Sequence, residues 1–388
     1  MKKTLFLFTD CFPFGKSEQY LNEEFSLLQE NFEEVFVSPI NVSEKKRIGF
    51  ENVNVFDLEN KIHISKRYFL LNILTYIKFI FSDNNFLGFE NLKSIHHAWT
   101  ASDLILDFIK DKKIEPKNVT IYSYWLYHSA LIAGFVKIKE PKIRCVSRAH
   151  MGDVYNEIKY TNFLKLKLKN LDKVLTISDH ARNYILKQFP TYSNKVSTSR
   201  LGVNDVGLNP SRTEKKSFTI VSCSSITKRK RVLTIAEVIG RMNLNIKWIH
   251  FGDGEQMKEL KKTIKKFPKN INVDLKGWVD NKSILEYYNN HTVDFFLNLS
   301  YEEGIPVSIM EALSFGIPVL AYDVYAINEI INSSNGVLLN DNVRDESIAE
   351  ELKKALKCSF NKEKIKFNWK ENYSARENYS RFINKYLL

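Results

Sequence analysis

A strand–loop–helix–strand unit in the C-terminal half constrains the fold of this chain more than any other feature. An apolar run, 293–299, leads into a polar loop, and a second apolar run, 317–321, follows. Between them, Pro306 suits the first turn of a helix and Gly316 suits its end. Two parallel strands joined in this way place the helix N-terminus at the carboxyl edge of a sheet. Because free backbone amides point outward there, the unit predicts an anion site.

Two carboxylates flank the predicted helix. Glu303 lies in the loop before it, and Glu311 lies about two turns further along the chain. An ionised carboxylate accepts hydrogen bonds from hydroxyl groups. An anion site with carboxylates on both sides therefore suits a phosphate that carries hydroxyl-rich groups, which describes a nucleotide-diphosphate sugar.

The same residues carry a family resemblance. Glu303 and Glu311, with seven residues between them and Ala312, Gly316 and Pro318 after them, resemble the E-x7-E signature of glycosyltransferase family 4. Its members are retaining glycosyltransferases, many of the bacterial surface-polysaccharide type. The resemblance covers nearly the whole chain and implies an α/β, GT-B fold, in which two Rossmann-like domains face each other across a cleft. The alternative is a buried strand–helix–strand unit with incidental surface glutamates.

Length and charge agree with a two-domain protein that has anionic partners. The chain has 388 residues, 44% of them hydrophobic, and a net charge of +12. This length suits two domains, and the charge favours a nucleotide donor, an anionic membrane or nucleic acid. We expect no nucleic-acid partner, because no helix-turn-helix, RRM or zinc pattern is visible. Four widely spaced cysteines suggest reduced thiols in a cytoplasmic protein.

The order of predicted strands and helices divides the chain into domains. We expect an N-terminal acceptor-binding Rossmann-like domain over residues 1–207 and a nucleotide-sugar-binding Rossmann-like domain over 216–365. The polar segment 207–216 reads as the linker between them. The resemblance implies that the amphipathic C-terminal helix, 366–388, crosses back to the first domain.

An aromatic, apolar stretch, 68–81, follows Lys61, Lys66 and Arg67. It is too short to span a bilayer. Two interpretations remain open: a monotopic helix that lies in the interface of an anionic membrane, or a core helix of the first domain.

A run of four cations, 228–231, follows the first predicted strand of the second domain. A diphosphate leaving group needs fixed positive charge, because negative charge accumulates on it as the glycosidic bond breaks. The resemblance implies that Lys230 binds this phosphate. The family's arginine five residues earlier is Ser225 here, and Arg229 or Arg231 is expected to substitute for it. A solvated basic turn is the alternative.

Further donor-binding residues are implied by the resemblance. Glu303 is expected to hold sugar hydroxyls and Glu311 the ribose. The residues expected to act through their backbone are Gly304 and Ile305 at the sugar, Val307 and Ser308 at the diphosphate, Gly252 in a strand-to-helix G-x-G turn, and Val279 at the base.

In the first half, His150 follows a predicted strand. The resemblance implies that it lines the cleft near the transferred sugar and the leaving phosphate; a structural histidine is the alternative, and Arg148 is a weaker candidate. The loop after the first strand contains Gly15, which lets the backbone approach an anion, and Lys16, which adds charge.

The expected activity is metal-independent, retaining hexosyl transfer from a UDP- or GDP-linked sugar, with no other cofactor. No D-x-D motif and no histidine–carboxylate cluster in the sequence suits a metal. The expected acceptor is a saccharide or lipid-linked saccharide in capsule, exopolysaccharide or O-antigen synthesis, at the inner face of the plasma membrane. The alternatives are a sugar phosphorylase or nucleotide-sugar epimerase of the same fold, and a non-enzymatic basic binding protein.

Overall fold

The computed structural model describes residues 3–15, 18–42, 45–62, 66–82, 89–155, 163–211, 217–340 and 345–388, except the side chains of residues 66, 67, 82 and 346. The chain divides into two units. Unit 1 contains Met1–Arg200 and Tyr379–Leu388, and unit 2 contains Leu201–Asn378. Lys16 and the part of the predicted linker from 212 to 216 lie outside the described residues.

Unit 1 is built on one parallel sheet. Its strands are Thr4–Thr9 (β1), Glu34–Pro39 (β2), Asn54–Val55 (β3), Val119–Ser123 (β4), Arg144–Ala149 (β5), Lys173–Thr176 (β6) and Val196–Thr198 (β7). They lie in the order β3-β2-β1-β4-β5-β6-β7. Its helices are Leu21–Asn31 (α1), Lys66–Ser82 (α2), Phe89–Asp111 (α3), His128–Lys139 (α4), Met151–Val154 (α5), Leu164–Asn170 (α6) and Asp179–Gln188 (α7).

Unit 2 repeats this plan. Its strands are Phe218–Cys223 (β8), Ile246–Phe251 (β9), Ile271–Gly277 (β10), Phe295–Asn298 (β11), Val319–Tyr322 (β12) and Gly336–Leu339 (β13). They pair in parallel in the order β10-β9-β8-β11-β12-β13. The helices are Val232–Gly240 (α8), Met257–Ile264 (α9), Asn281–Asn290 (α10), Val307–Ser314 (α11), Asp345–Ala355 (α12) and Lys362–Tyr373 (α13), and Ala375–Phe382 (α14) leads back to unit 1. The α/β class predicted from the sequence is confirmed.

The central strand of unit 1 shows why these residues form a buried parallel sheet. All six residues of β1 are buried, as expected for a strand that is covered on both faces. Leu5 and Leu7 pack with Phe25 of α1 on one face. On the other face, the ring of Phe6 stacks on that of Phe36 of β2, with 5.3 Å between centroids.

The C-terminal segment completes the core of unit 1. Phe382, Ile383 and Tyr386 belong to the hydrophobic cluster that includes β1 and α1. The Thr120 hydroxyl of β4 donates a hydrogen bond to the Leu387 carbonyl at 2.9 Å. These contacts fasten the end of the chain to the sheet.

The segment after residue 207, which the sequence suggested as a linker, is anchored to unit 2. The buried Asn209 side chain donates hydrogen bonds to the carbonyls of Tyr288, at 2.7 Å, and His291, at 2.9 Å. Its Oδ1 accepts a hydrogen bond from the Val293 amide at 3.0 Å. Asn209 therefore ties this stretch to the end of α10 and to the residues that lead into β11.

Helix α2 contains the apolar stretch 68–81 and has two different faces. Tyr76 and Ile80 are fully buried, whereas Leu70, Leu71 and Leu74 are 66%, 76% and 79% exposed. The core-helix interpretation therefore holds for one face only. The described residues contain no helix that is both long and apolar enough to cross a membrane.

Candidate functional site

The carboxyl ends of β8 and β11 lie next to each other in the sheet of unit 2. β9 and β10 lie on one side of β8, and β11, β12 and β13 lie on the other. The chain leaves these two strands toward opposite sides, which opens a crevice of the kind where α/β proteins bind ligands. The loops that follow β8 and β11 carry most of the residues predicted to bind a donor.

Glu303 is held in the loop between β11 and α11. Only 6% of the residue is exposed. Its Oε1 accepts a hydrogen bond at 3.5 Å from Nδ2 of Asn298, the last residue of β11. The Oδ1 atom of Asn298 accepts one from the Ser300 amide at 3.0 Å. Asn298 therefore fixes both the start of the loop and the carboxylate.

The amide end of α11 is formed as predicted from Pro306. This residue is extended, with ψ at 129°, and α11 begins at Val307. The Pro306 carbonyl accepts hydrogen bonds from the amides of Ile309, at 3.2 Å, and Met310, at 3.1 Å. Val307 and Ser308 are the first two helical residues, whose amides have no acceptor within the helix. These amides and the helix dipole favour an anion at this end.

Lys230, in the loop after β8, forms an ion pair with Glu303. Two backbone contacts hold the same loops together. Arg229 Nη1 donates to the carbonyl of Glu302 at 3.1 Å, and the Tyr301 amide donates to the carbonyl of Arg229 at 3.1 Å. The structure thus brings Lys230, Arg229 and Glu303 together at one edge of the sheet.

Arg231 is occupied by contacts within unit 2. Its guanidinium pairs with Asp345, the first residue of α12. It also lies over two rings, 4.3 Å from the centroid of Tyr301 and 5.0 Å from that of Tyr322. Of the two arginines expected to replace the family arginine at Ser225, Arg229 is therefore the exposed one and Arg231 the buried one.

Glu311 lies on α11 and is also buried. Its Oε1 accepts a hydrogen bond from Asn281 Nδ2 at 2.6 Å. Burial raises the pKa of the Glu311 carboxyl to about 7, although the Asn281 hydrogen bond opposes the shift. Burial, followed by the charge of Glu311, raises the pKa of Cys223 at the end of β8 to about 12. Glu311 therefore lies close to the strand that leads to Lys230.

Gly252 allows two backbone segments to approach closely. Its φ is +140°, and a Cβ at this position would lie 1.9 Å from the carbonyl oxygen of Ser224. A Cβ on Gly254 would lie 2.6 Å from the carbonyl oxygen of Ile226. The predicted G-x-G turn therefore supports the loop that carries Lys230, a role that the sequence did not reveal.

The remaining donor residues lie on short connections of unit 2. Gly304 and Ile305 join Glu303 to Pro306, and the side chain of Ile305 is buried. Val279 is half-buried in the turn between β10 and α10. The first residue of α10 after that turn is Asn281, the hydrogen-bond partner of Glu311.

In unit 1, Glu18 organises the loop that contains Gly15. The Glu18 carboxylate accepts hydrogen bonds from the amides of Asp10, at 3.0 Å, and of Cys11 and Phe12, at 2.8 Å each. Glu18 has a φ of +59°, and α1 begins after it, at Leu21.

Gly15 lies at the exposed end of that loop, with a φ of +63°. A Cβ there would meet only the side chain of Cys11, with Sγ 3.5 Å away. The glycine is therefore required by its backbone conformation, and not by a crowded neighbourhood.

His150 follows β5, as predicted, and is packed among aromatic rings. Its ring centroid lies 4.3 Å from that of Trp125 and 4.9 Å from that of Tyr124. Neither ring nitrogen has a hydrogen-bond partner among the described residues. Burial and the charge of Arg148 hold the pKa of His150 well below its usual value. The imidazole is therefore neutral and keeps one donor and one acceptor.

Arg148 lies in the core of unit 1, away from any open site. It forms a fully buried ion pair with Glu24 at 3.1 Å, and its guanidinium lies 4.4 Å from the ring centroid of Phe382. These contacts assign a packing role to the weaker of the two candidates on β5.

No group of three or more histidine, cysteine, aspartate or glutamate residues in the described ranges is arranged to hold a metal ion.

Comparison with known proteins shows what unit 2 is similar to. Residues 208–373 match the family model of glycosyl transferases group 1. The UDP-N-acetylglucosamine–peptide N-acetylglucosaminyltransferase GtfA subunit of Streptococcus parasanguinis is 24% identical over 237 residues, which are 58% of this chain and 46% of that protein. The O-antigen biosynthesis glycosyltransferase WbnH of Escherichia coli is 33% identical over 132 residues, 33% of this chain and 35% of that one. This chain thus spans less than half the length of these relatives.

The fold is shared over the whole chain. The apo structure of the lipopolysaccharide outer core galactosyltransferase WaaB superimposes with a TM-score of 0.73 at 15% identity, covering 98% of this chain and 99% of that chain. The two parallel sheets are those of the GT-B fold, as the sequence predicted.

Proposed function

We propose that this protein is a retaining, metal-independent glycosyltransferase of family 4 that transfers a hexose from a nucleotide-diphosphate sugar to a saccharide acceptor. One observation carries the proposal. Lys230 and Glu303 meet at the carboxyl edge of neighbouring strands, and the loop that carries Glu303 leads to the amide end of α11, where Val307 and Ser308 are half-buried. This combination offers a cation, amides and a carboxylate to one ligand that contains both phosphate and sugar.

In the proposed donor complex, the amides of Val307 and Ser308 bind the diphosphate. Lys230 and Arg229 balance the negative charge of the diphosphate, so that no metal cation is needed for this purpose. Arg231 holds the loop that carries Lys230 in place through its ion pair with Asp345. Gly252 supports the same loop, because the lack of a Cβ lets the backbone of Ser224 approach closely.

The sugar and the nucleoside are bound on either side of the diphosphate. Glu303 accepts hydrogen bonds from the sugar hydroxyls, and the backbone amides of Gly304 and Ile305 donate hydrogen bonds to them. Glu311 accepts hydrogen bonds from the ribose, and each bond to a charged group contributes about 1.5–3 kcal/mol. The backbone at Val279 contacts the base.

The proposed chemical step retains the anomeric configuration. The bond between C1 of the sugar and the diphosphate oxygen breaks, and the acceptor oxygen bonds to C1 on the same face. The acceptor proton passes to the leaving phosphate. Lys230 stabilises the charge that develops on that leaving group. The roles that the family resemblance implies for His150 and for the loop at Gly15, both in unit 1, stay proposals that rest on that resemblance.

A UDP-linked sugar is the donor that the comparisons favour. The S. parasanguinis relative is named for UDP-N-acetylglucosamine, and a GDP-linked sugar is the alternative. The proposed role is cell-surface polysaccharide synthesis, in line with the O-antigen relative, with a saccharide or lipid-linked saccharide as acceptor.

We assign the exposed face of α2 to an anionic membrane, which places the enzyme at the inner face of the plasma membrane. Leu70, Leu71 and Leu74 present apolar side chains there, and the exposed Lys78 lies on the same helix. An apolar face that carries cations suits the headgroup boundary of anionic lipids. The net charge of +12 adds a general attraction to such a surface.

Incubation of the protein with UDP-N-acetylglucosamine, UDP-glucose and UDP-galactose tests this function. We expect UDP release from at least one of them, faster with an acceptor glycoside present, and a product whose anomeric proton signal shows retention. The Lys230→Ala variant should release UDP far more slowly. Cleavage that requires inorganic phosphate would instead indicate a phosphorylase, and an epimeric UDP-sugar without UDP would indicate an epimerase.

A further inference from the structure

Unit 1 contains a cavity of about 320 Å³ that the donor site does not use. It opens at the carboxyl edge of the sheet, between Phe8 of β1, Ser38 of β2 and the first residues of α4, and two histidines, His97 and His128, line it. We call it the histidine cavity. Its volume lies at the lower end of the range of small-ligand pockets.

A chain of hydrogen bonds runs along the wall of the histidine cavity. Glu59 Oε2 lies 3.1 Å from His97 Nε2, and His97 Nδ1 lies 2.8 Å from His128 Nε2. His128 Nδ1 in turn lies 3.2 Å from the hydroxyl of Ser94. Four side chains from α3, α4 and the turn that begins at Glu59 are thus connected in series.

One set of protons satisfies the whole chain. An ionised Glu59 accepts from His97 Nε2–H, so that His97 Nδ1 accepts from His128 Nε2–H and His128 Nδ1 accepts from the Ser94 hydroxyl. Burial lowers the pKa of His128 to about 3, which keeps its ring neutral. The network therefore fixes the direction of each ring and leaves the second oxygen of Glu59 for another donor.

Three other groups of the cavity are available for a ligand. Glu90, Lys93 and Ser38 line it, and their side chains make no hydrogen bond or ion pair with any other residue that the structure describes. Glu90 and Lys93 are exposed. Apolar walls formed by Leu58 and Ile132 complete the cavity.

The charges of the cavity indicate the class of ligand. Two carboxylates, Glu59 and Glu90, outweigh the one lysine, Lys93, so that a diphosphate would be repelled. Carboxylate acceptors, an ammonium donor and a hydroxyl around a partly apolar space match the alternating hydroxyls and carbon faces of a sugar ring. We infer that the histidine cavity binds a neutral saccharide.

This inference rests on the proposed function for one point, namely that the bound saccharide is the acceptor. The binding itself is independent of it, because the cavity lies entirely in unit 1 and the donor residues Lys230, Glu303 and Glu311 lie in unit 2.

Saturation-transfer NMR on the full-length protein tests the site with the methyl glycosides of glucose, galactose and N-acetylglucosamine at millimolar concentrations. We expect at least one glycoside to receive saturation from the wild type. Its apparent affinity should fall about tenfold in Glu59→Ala and in Glu90→Ala, because each removes a charged hydrogen-bond acceptor. Glu90→Ala removes no hydrogen bond or ion pair between described residues, so it tests the site with little effect on the fold.

Glu115→Ala is the matched control. Glu115 is an exposed carboxylate of unit 1 that pairs with Lys117, just before β4 and thus at the opposite edge of the sheet. This variant should bind the glycoside as the wild type does. A UDP-induced rise in melting temperature, measured in parallel, should be present in every protein.

The outcomes separate the two proposals. If none of the three glycosides receives saturation while UDP still raises the melting temperature, the saccharide site is overturned and the donor site is left intact. Unchanged binding in Glu59→Ala and Glu90→Ala, or binding that disappears in Glu303→Ala instead, would also overturn it. Glycoside binding with the expected losses but without any UDP response would support the cavity and contradict the proposed function.

Discussion

The ammonium of Lys230 contacts the carboxylate of Glu303, although the two residues are 73 positions apart in sequence. Each follows the end of one of two paired strands, β8 and β11. The two charges neutralise each other at a nearly buried position. In the proposed complex the donor takes the place of this ion pair: its phosphate contacts Lys230, and its sugar hydroxyls contact Glu303.

The first prediction concerns this pair. Lys230→Ala and Glu303→Ala should each lower the turnover of a UDP-sugar by about 100-fold or more, because each removes a group that, in the proposed complex, contacts the reacting part of the donor. Steady-state UDP release measures the effect. Lys228→Ala is the matched control, since Lys228 belongs to the same basic run but is exposed. An equal loss in the control would mean that the run acts only through its overall charge.

The second prediction concerns the protonation of Glu311. Its pKa is raised from 4.5 to about 7 in the folded protein, so the folded state binds the proton more tightly than the unfolded state. The stabilising effect of that proton is present below about pH 4.5 and is lost as the pH rises through about 7. Glu311→Gln keeps a neutral side chain and should raise the free energy of unfolding at pH 8 by at most about 3 kcal/mol.

Urea denaturation of the wild type and Glu311→Gln at pH 5 and pH 8 measures this effect. The difference between the two proteins should be larger at pH 8. Glu363→Gln, a substitution at an exposed position of α13, should show no such dependence. If Glu311→Gln and the wild type are equally stable at pH 8, the pKa of the carboxyl is not raised as described.

The third prediction distinguishes two reasons for a glycine: a neighbouring backbone segment that leaves no room for a Cβ, and a positive φ angle. Both Gly252 and Gly277 have positive φ, but only Gly252 has no room for a Cβ, which would lie 1.9 Å from the Ser224 oxygen. Gly252→Ala should displace the loop that carries Lys230 and weaken UDP binding. Gly277→Ala, with no atom within 4 Å of the added Cβ, should cost only its backbone strain, about 1–2 kcal/mol. Equal effects on UDP binding would contradict this account of the turn.

The fourth prediction concerns the membrane face of α2. The triple variant Leu70→Ser, Leu71→Ser, Leu74→Ser should lose most binding to vesicles that contain phosphatidylglycerol, because it removes exposed apolar area. Cosedimentation measures bound protein. A charge-matched control, Ile48→Ser, changes an apolar residue that is 96% exposed in another part of unit 1. Equal binding to the vesicles by the wild type and the triple variant would show that α2 does not contact the membrane.

Much of the fold could be predicted from the sequence, because the signals are local. Apolar runs such as those around β1 and β8 alternate with helical segments, and Pro306 and Gly316 bracket α11 within two residues. The E-x7-E spacing likewise lies within a single loop and helix, so that the positions of Glu303 and Glu311 follow from one stretch of chain.

The rest depends on contacts between residues that are distant in sequence. Arg231 looked equivalent to Arg229, yet it pairs with Asp345, 114 positions away. Glu18 accepts hydrogen bonds from the preceding loop and from Trp125 Nε1, 107 positions away, and a contact over that distance leaves no local signal in the sequence. The histidine cavity has no motif at all, since His97 and His128 meet only when α3 packs on α4.

Isothermal titration of UDP into the full-length protein tests the central claim most directly, namely that a nucleotide diphosphate binds at the amide end of α11 between Lys230 and Glu311. We predict saturable binding to the wild type, binding about tenfold or more weaker in Lys230→Ala and in Glu311→Ala, and wild-type affinity in Lys228→Ala. Absence of binding by UDP, GDP and ADP alike, or equal UDP affinity in all four proteins, would contradict it.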